Sequence, residues 1–401
     1  MKLLNCLLGS IFLFLVPCSS AARISPKKEL QVENLLKRLN KTPQKSIKSP
    51  DGDIIDCIPI SQQPAFDHPL PQNHKIQLEP SYYPEGPFGD KRVNTSKSRK
   101  RLKPIKQLWH LNGNCDKGTI PVRRTTKEDI LRAGSIKNYG KKKEIANILG
   151  PNSAKPQPDA STEHEYSFAS VMGEKYIGTR AIMEVWKPEV EQPNEFSLAQ
   201  IWVLGGSFDG SLNSIEAGWQ VYPNMYRDDS TRLFAYWTRD QYKSTGCYNL
   251  VCPGFVQISE RIALGVSFQQ VSTYQGSQSS LTLLIWKDPT EGKWWLASDD
   301  REVIGYWPTS LFTSLADIIN EATGGQHTTT QMGSGHFSGE GFTRASYFTE
   351  IQLVNASKHL NVVETVQSQS DHPGCYDIQV QNRPQGAFFY YGGPGRNPNC
   401  P

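Results

Sequence analysis

The chain has 401 residues, 37% of them hydrophobic and 20% charged, with a formal net charge of +4. That length holds two domains, or one domain behind a long leader. So small a charge gives no argument for nucleic acid, and 16 Tyr, 16 Phe, 9 Trp and 32 Gly fit strands and turns better than helices.

In chain order, residues 1–22 read as a secretory signal. Lys2 supplies the positive start, residues 3–16 are mainly apolar, and Ser19-Ser20-Ala21-Ala22 offers small residues for cleavage. The run is short for a membrane span, and no second stretch is long and apolar enough to cross a bilayer. The expected location is therefore outside the cytoplasm: extracellular, cell wall or vacuole. Residues 28–39 (KELQVENLLKRL) carry apolar side chains at helical spacing and predict a short amphipathic helix. Basic clusters at 97–106 and at Lys141-Lys142-Lys143 read as processing sites, an anionic-binding surface or, as charge runs usually are, solvated loops. Residues 151–162 (PNSAKPQPDAST) are a linker, so a domain of 23–150 is expected before one of 163–401.

From residue 163 the texture is all-β. Short aromatic and β-branched runs at 199–204, 214–221, 233–238, 255–257, 281–286, 294–296 and 388–391 alternate with Gly, Asp, Asn and Pro turns. Such spacing argues for an antiparallel sandwich or barrel. Only residues 310–322 look helical. The pairs Trp294-Trp295 and Tyr306-Trp307 fit a sugar or peptide groove, but strand neighbours point to opposite faces, so one of each should enter the core.

Cys6 and Cys18 leave with the signal, and six cysteines remain. An even number in a secreted chain points to disulfides, though six cysteines allow about fifteen pairings. Proximity favours Cys247–Cys252 and Cys375–Cys400, leaving Cys57–Cys115. There is no Cys-x-x-Cys pair and no cluster of His, so no metal is expected. No dinucleotide, phosphate-loop, zinc-protease or serine-hydrolase motif is present, so no cofactor is expected either. His327 and His336 flank a Gly-rich loop and read better as ordinary loop residues than as ligands. Asn40, Asn94 and Asn355 lie in glycosylation sequons.

One carboxylate stands out. Glu216 sits inside a strand-like run, Ser214-Ile215-Glu216-Ala217-Gly218-Trp219-Gln220-Val221. The pattern alone fits an outward-facing Glu on a half-exposed strand. If buried, however, the carboxylate would be costly, and its pKa would be raised toward that of a working acid or base.

The runs GSFDGSLNSIEAGWQV (206–221), LFAYWTRDQYKSTGCYNLVCPGFVQ (233–257), TLLIWKDPTEGKWWL (282–296), IGYWPTSLFTSLAD (304–317) and GQHTTTQMGSGHF (325–337) resemble the neprosin family. These are secreted plant glutamic endopeptidases that cleave at proline. DCIPISQQPAFDHPLPQNHKIQ (56–77) and LWHLNGNCDKGTIPVRRTTKEDILRA (108–133) resemble that family's activation peptide. The resemblance implies a β-sandwich of two antiparallel sheets behind a smaller mixed propeptide domain. It implies a propeptide that inhibits its own enzyme and is removed in acid, and proline-containing polypeptides as substrates. It also implies two catalytic glutamates. Glu216 matches the first. The second departs from the pattern: the family carries a Glu-Trp-Gly-Gly-Glu-like segment after Leu315-Ala316-Asp317, whereas here only IINEATG (318–324) precedes Gly325. Glu321 is the nearest carboxylate: either it substitutes for the second glutamate, or the shortened segment leaves a weak or inactive homologue. Trp219, Gln220, Tyr306, Gln331 and His336 are the groove candidates. A sandwich that binds wall glycans or Pro-rich proteins without catalysis is the competing expectation.

Overall fold

The computed structural model describes residues 25–67, 75–86, 106–142, 165–171, 176–207, 211–298, 302–313, 315 and 328–400. The leader opens with helix α1 (Pro26–Leu39). Ser25 caps its first turn, Pro26 takes the position where a missing N–H costs nothing, and Lys37 and Arg38 sit in its last turn. Val32, Leu35 and Leu39, at helical spacing, pack on Ile130 and Tyr139. Strands β1 (Lys45–Lys48), β2 (Ile54–Pro59) and β3 (Thr119–Arg123) form a three-stranded antiparallel sheet. Helix α2 (Lys127–Arg132) follows, with Thr126 and Asp129 closing a capping box.

Two antiparallel sheets make the sandwich. The smaller runs β6 (Ser197–Gly205), β7 (Asn213–Val221), β8 (Arg232–Thr238) and β9 (Cys247–Tyr248). The larger begins with β10 (Val256–Gln257), β13 (Glu302–Pro308), β12 (Lys293–Ser298) and β11 (Ser280–Asp288). It continues through β5 (Gly178–Glu184), β14 (Ser346–Val354), β18 (Phe388–Gly392) and β17 (Asp377–Gln381), with β15 (Leu360–Val362) also on β14. A small ribbon pairs β4 (Ser167–Ser170) with β16 (Gln367–Ser370).

The main core lies between the sheets. It takes Ile215, Ala217 and Trp219 from one face of β7, and Trp294 and Trp307 from the large sheet. Their neighbours Trp295 and Tyr306 turn to the outer face, as strand alternation requires. Gly218 is needed where β7 meets β6: a Cβ there would lie 1.9 Å from the Ala199 carbonyl oxygen. The expected helix at 310–322 is described only at its start, where Thr309–Leu311 form a 3₁₀ turn. Disulfides join Cys57–Cys115, Cys247–Cys252 and Cys375–Cys400, as proximity favoured. The linker at 151–162 lies outside the described residues.

The leader covers the sandwich on two sides. Against the outer face of the small sheet it lays the segment ending at Lys142, with α2 beside the short helix Pro223–Tyr226, while β2 and β3 send Ile58 and Ile120 into the core between the sheets. At the adjoining edge the Gln63 side chain pairs with the Gln257 backbone in both directions, at 2.9 and 2.8 Å. Gln107 does the same for Ala263 at 2.6 and 2.8 Å. Over the outer face of the large sheet run residues 75–86. Ser81 donates from its Oγ and backbone N to Asp288 Oδ2, at 2.5 and 3.1 Å. Tyr82 donates to the Lys287 carbonyl at 2.5 Å, and the Tyr83 ring lies 5.7 Å from Trp286.

Candidate active site

Glu216 is fully buried. Its register partners on the same face are Trp202 on β6 and Tyr236 on β8. Two positions along, Gly218 faces Phe234, and four along, Gln220 faces Arg232. This face is therefore an aromatic trench with one carboxylate in its floor. Oε1 accepts from Tyr242 Oη at 2.7 Å and from Ser214 Oγ at 2.9 Å. Tyr242 is presented by the turn after β8, where Gln241 and Tyr242 both adopt the left-handed conformation. Asp240 braces that turn with bonds from Thr238, Ser244 and Thr245. Burial alone would raise Asp240, but those hydrogen bonds hold it at about 2. Burial, reinforced by the Glu216 charge, holds Tyr242 well above the usual phenol range, so it remains an O–H donor. The buried indole N–H of Trp202 and the Tyr248 hydroxyl have no hydrogen-bond partner among the described residues.

The other carboxylate oxygen, Oε2, is taken by Lys142 of the leader. Its ammonium lies over the rings of Tyr236, Phe234, Tyr248 and Tyr242, at 5.1 to 6.0 Å. Only 7% of the Lys142 side chain is exposed. Gly140 O accepts from Tyr248 N at 2.8 Å, and Lys142 N donates to Tyr236 Oη at 3.2 Å. The solvated-loop reading of the Lys141–Lys143 cluster thus fails at Lys142. An ammonium among four rings and one carboxylate is held by charge pairing and cation–π attraction together.

A second ionic cluster lies further along the same face. Arg232, fully buried, donates through Nη1 to the leader's Asp53 at 2.5 Å and to Gly265 O at 3.0 Å. Its Nη2 and Nε bind Asp228 at 2.6 and 3.3 Å. The guanidinium lies 4.9 Å over the Tyr226 ring, whose hydroxyl accepts from Gln220 and Asn249. Asp53 also accepts from Arg123 Nε at 3.0 Å, and Arg227 is 3.7 Å from it. Asp51 takes the Ser267 hydroxyl and lies 3.7 Å from Arg232. Burial would raise Asp51, but the bond from Ser267 and the Arg232 charge leave it below the usual carboxylate range.

The remaining candidates separate. Gln220 shares the trench face with Glu216. Trp219 does not: alternation points it into the core, where its indole donates to Glu184 O at 2.8 Å. Tyr306 is on the outer face of the other sheet, beneath Gln77 of the leader. Gln331 Oε1 accepts from Glu189 N at 3.0 Å and serves a loop. His336 stacks on Tyr274 at 4.2 Å and bonds Glu340 at 2.8 Å, on a surface turn. Glu321, His327 and Asn94 lie outside the described residues. Asn40 exchanges hydrogen bonds with the Thr125 backbone at 2.8 and 2.9 Å, and Asn355 Oδ1 accepts from His359 N. No group of His, Cys, Asp or Glu able to hold a metal occurs among the described residues.

Sequence reasoning missed Lys142, Tyr242 and Arg232. Lys142 stood out only as part of a basic run and Arg232 not at all, because each is defined by a partner distant in sequence. Tyr242 lay within the run at 233–257 but did not stand out from the other tyrosines.

A family model described as Neprosin matches residues 193–394, and one described as Neprosin activation peptide matches 46–170. Among solved structures, a scytalido-glutamic peptidase with a peptide-based transition-state analogue is similar at 12% identity. The match covers 58% of this chain and 98% of that one, with a TM-score of 0.32. SCP-B, a member of the Eqolisin family of peptidases in complex with the tripeptide Ala-Ile-His, is similar at 10% identity. It covers 57% and 97% of the two chains, also with a TM-score of 0.32.

Proposed function

The chain belongs to the neprosin family, and from that premise we propose that it is a secreted, acid-acting glutamic endopeptidase that cleaves at proline and is held latent by its own leader. The observation that carries this reading is the Lys142–Glu216 pair. A family activation peptide inserts a cation onto the one carboxylate in the floor of an aromatic trench. Blocking that group in particular is what an inhibitory leader would do. The ring faces of Tyr236, Tyr242 and Tyr248 that surround Lys142 suit an apolar ring such as proline.

With the leader gone, Glu216 and a second carboxyl group share a water. One carboxylate takes a proton from the water as its oxygen attacks the scissile carbonyl. The protonated partner polarises that carbonyl, and a proton passes to the departing amine as the C–N bond breaks. Tyr242 keeps Glu216 oriented. The second carboxyl group we assign to Glu321. Thr313, eight residues before it in sequence, is bonded to Asn213 at the start of β7 at 2.7 Å. Residues 1–22 are the signal, 23–150 the leader and 163–401 the enzyme. Cleavage is assigned beyond Lys142, since residues up to it are docked.

The test is hydrolysis of a proline-containing peptide between about pH 2 and pH 7, the range over which carboxyl groups titrate. Intact protein is compared with acid-processed protein. Turnover confined to the processed form is expected. Absence of turnover from both would refute the enzymatic reading.

A further inference from the structure

The leader's turn Asp51-Gly52-Asp53 is more than a latch. Gly52 adopts φ +87°, so the turn presents two carboxylates side by side to the enzyme. Arg123 of the leader takes part of Asp53, and the other groups that receive the two carboxylates belong to the sandwich: Arg232 Nη1, the Arg227 guanidinium and the Ser267 hydroxyl. Arg232 is set for this task by contacts that do not involve the leader. Asp228 holds its Nε and Nη2, Gly265 O takes part of Nη1, and Tyr226 supports its plane. Departure of the leader removes two carboxylates and leaves Arg232 with Asp228 as its charge partner. Arg232 pairs with Gln220 in the β7–β8 register and so shares the face of Glu216, four residues along. That separation is roughly 13 Å at the rise of an extended chain.

We propose that Arg232, with Arg227 and Ser267, is a carboxylate-binding subsite of the substrate trench. It takes an acidic side chain or a free terminal carboxylate about four residues from the scissile bond. Asp53 and Asp51 occupy it in the latent protein as substitutes for that group, just as Lys142 occupies Glu216. A planar guanidinium already fixed on two sides loses little freedom on binding a carboxylate. The inference rests on the zymogen reading for its catalytic arm only.

Two measurements test it. In the intact chain carrying Asp51→Asn and Asp53→Ala, acetate should raise the unfolding temperature saturably, more than chloride at equal ionic strength. Wild type should show no such difference. In acid-processed wild type, peptides with Asp about four residues from the proline should exceed their Asn counterparts roughly tenfold in kcat/KM, the scale of one charge-assisted hydrogen bond. Arg227→Gln should shrink that ratio. Amidated and free C-termini placed at the same distance separate the two sources of the carboxylate. Equal response to acetate and chloride overturns the pocket, and equal cleavage of Asp and Asn peptides overturns its role in substrate choice. If no peptide is cleaved at all, the enzymatic reading fails and the acetate titration alone decides the pocket. If the double variant does not fold, the peptide ratio decides it.

Discussion

Replacing Lys142 with Ala removes the ammonium and leaves the Glu216 carboxylate buried beneath the leader with only the Tyr242 and Ser214 hydroxyls for company. Removing one member of a buried ion pair generally costs about 3–5 kcal/mol, because the other charge stays desolvated. Four aromatic contacts to the ammonium go as well. Three hydrogen bonds hold the end of this segment otherwise: Gly140 O to Tyr248 N, Lys141 to Ser244 O and Lys142 N to Tyr236 Oη. Its local opening should therefore become roughly two to four powers of ten more frequent, converting that energy at about 1.4 kcal/mol per tenfold. The Asp53–Arg232 cluster and the amide clamps of Gln63 and Gln107 are untouched, so the leader as a whole should stay bound. The expected result is an intact Lys142→Ala protein that cleaves a proline-containing peptide at mildly acid pH, where intact wild type is silent. Hydrogen exchange at Tyr248 N, which donates to Gly140 O, should rise in parallel, and it needs no catalysis. Unchanged latency together with unchanged exchange would refute the plug.

Glu216→Gln should abolish turnover without loss of folding, since the amide keeps the shape and the acceptor toward Tyr242. Glu321→Gln should cost as much if the two act as one unit; turnover unaffected by Glu321→Gln would remove it from the site. Glu184, buried and bonded by Ser272 at 3.3 Å, is raised by its burial from 4.5 to about 7. A carboxyl group raised in the fold stabilises fully below about pH 4.5, and that contribution is lost as pH climbs toward about 7, a swing of about 3 kcal/mol. Denaturant unfolding should therefore show Glu184→Gln gaining stability at neutral pH and little in acid; parallel pH curves for the two proteins would contradict this. Asp51 and Asp129 are both lowered and have the opposite sign. Their contributions hold at neutral pH and fade as pH drops below the ordinary Asp range, so leader release followed by gel filtration should increase with acid. The disulfides close loops of 58, 5 and 25 residues for Cys57–Cys115, Cys247–Cys252 and Cys375–Cys400. Chain entropy then ranks their removal at about 4, 2 and 3.5 kcal/mol, an order that Cys→Ser pairs should reproduce in unfolding experiments.

The parts of the fold with local periodicity were legible in the sequence. Helix α1 and strands β6, β7, β8, β11, β12 and β18 fall where hydrophobic spacing and turn residues place them. Strands β5 and β14 carry charges within their runs, and β16 is polar throughout, so alternation did not mark them; β17 alternates, but with two apolar residues in a five-residue strand it is too short to stand out. At the site, Glu216 was legible because a carboxylate inside an apolar strand is anomalous by itself. Trp219 was misplaced by adjacency in sequence: it is three residues from Glu216, an odd number, and so faces the core. Lys142 and Arg232 acquire meaning only through partners 74 and 179 residues away.

The leader's two-sided grip has a kinetic consequence. Its residues 75–86 hold the outer face of the large sheet and its segment ending at Lys142 holds the trench face of the small one, and one chain connects them. Such an attachment is bivalent. When one half lets go, the other keeps it at high effective concentration, and rebinding outpaces escape. A single cut after Lys142 should then leave a nicked protein that still elutes as one particle. Peptide-bond cleavage and activation become separable events, with acid acting on the second.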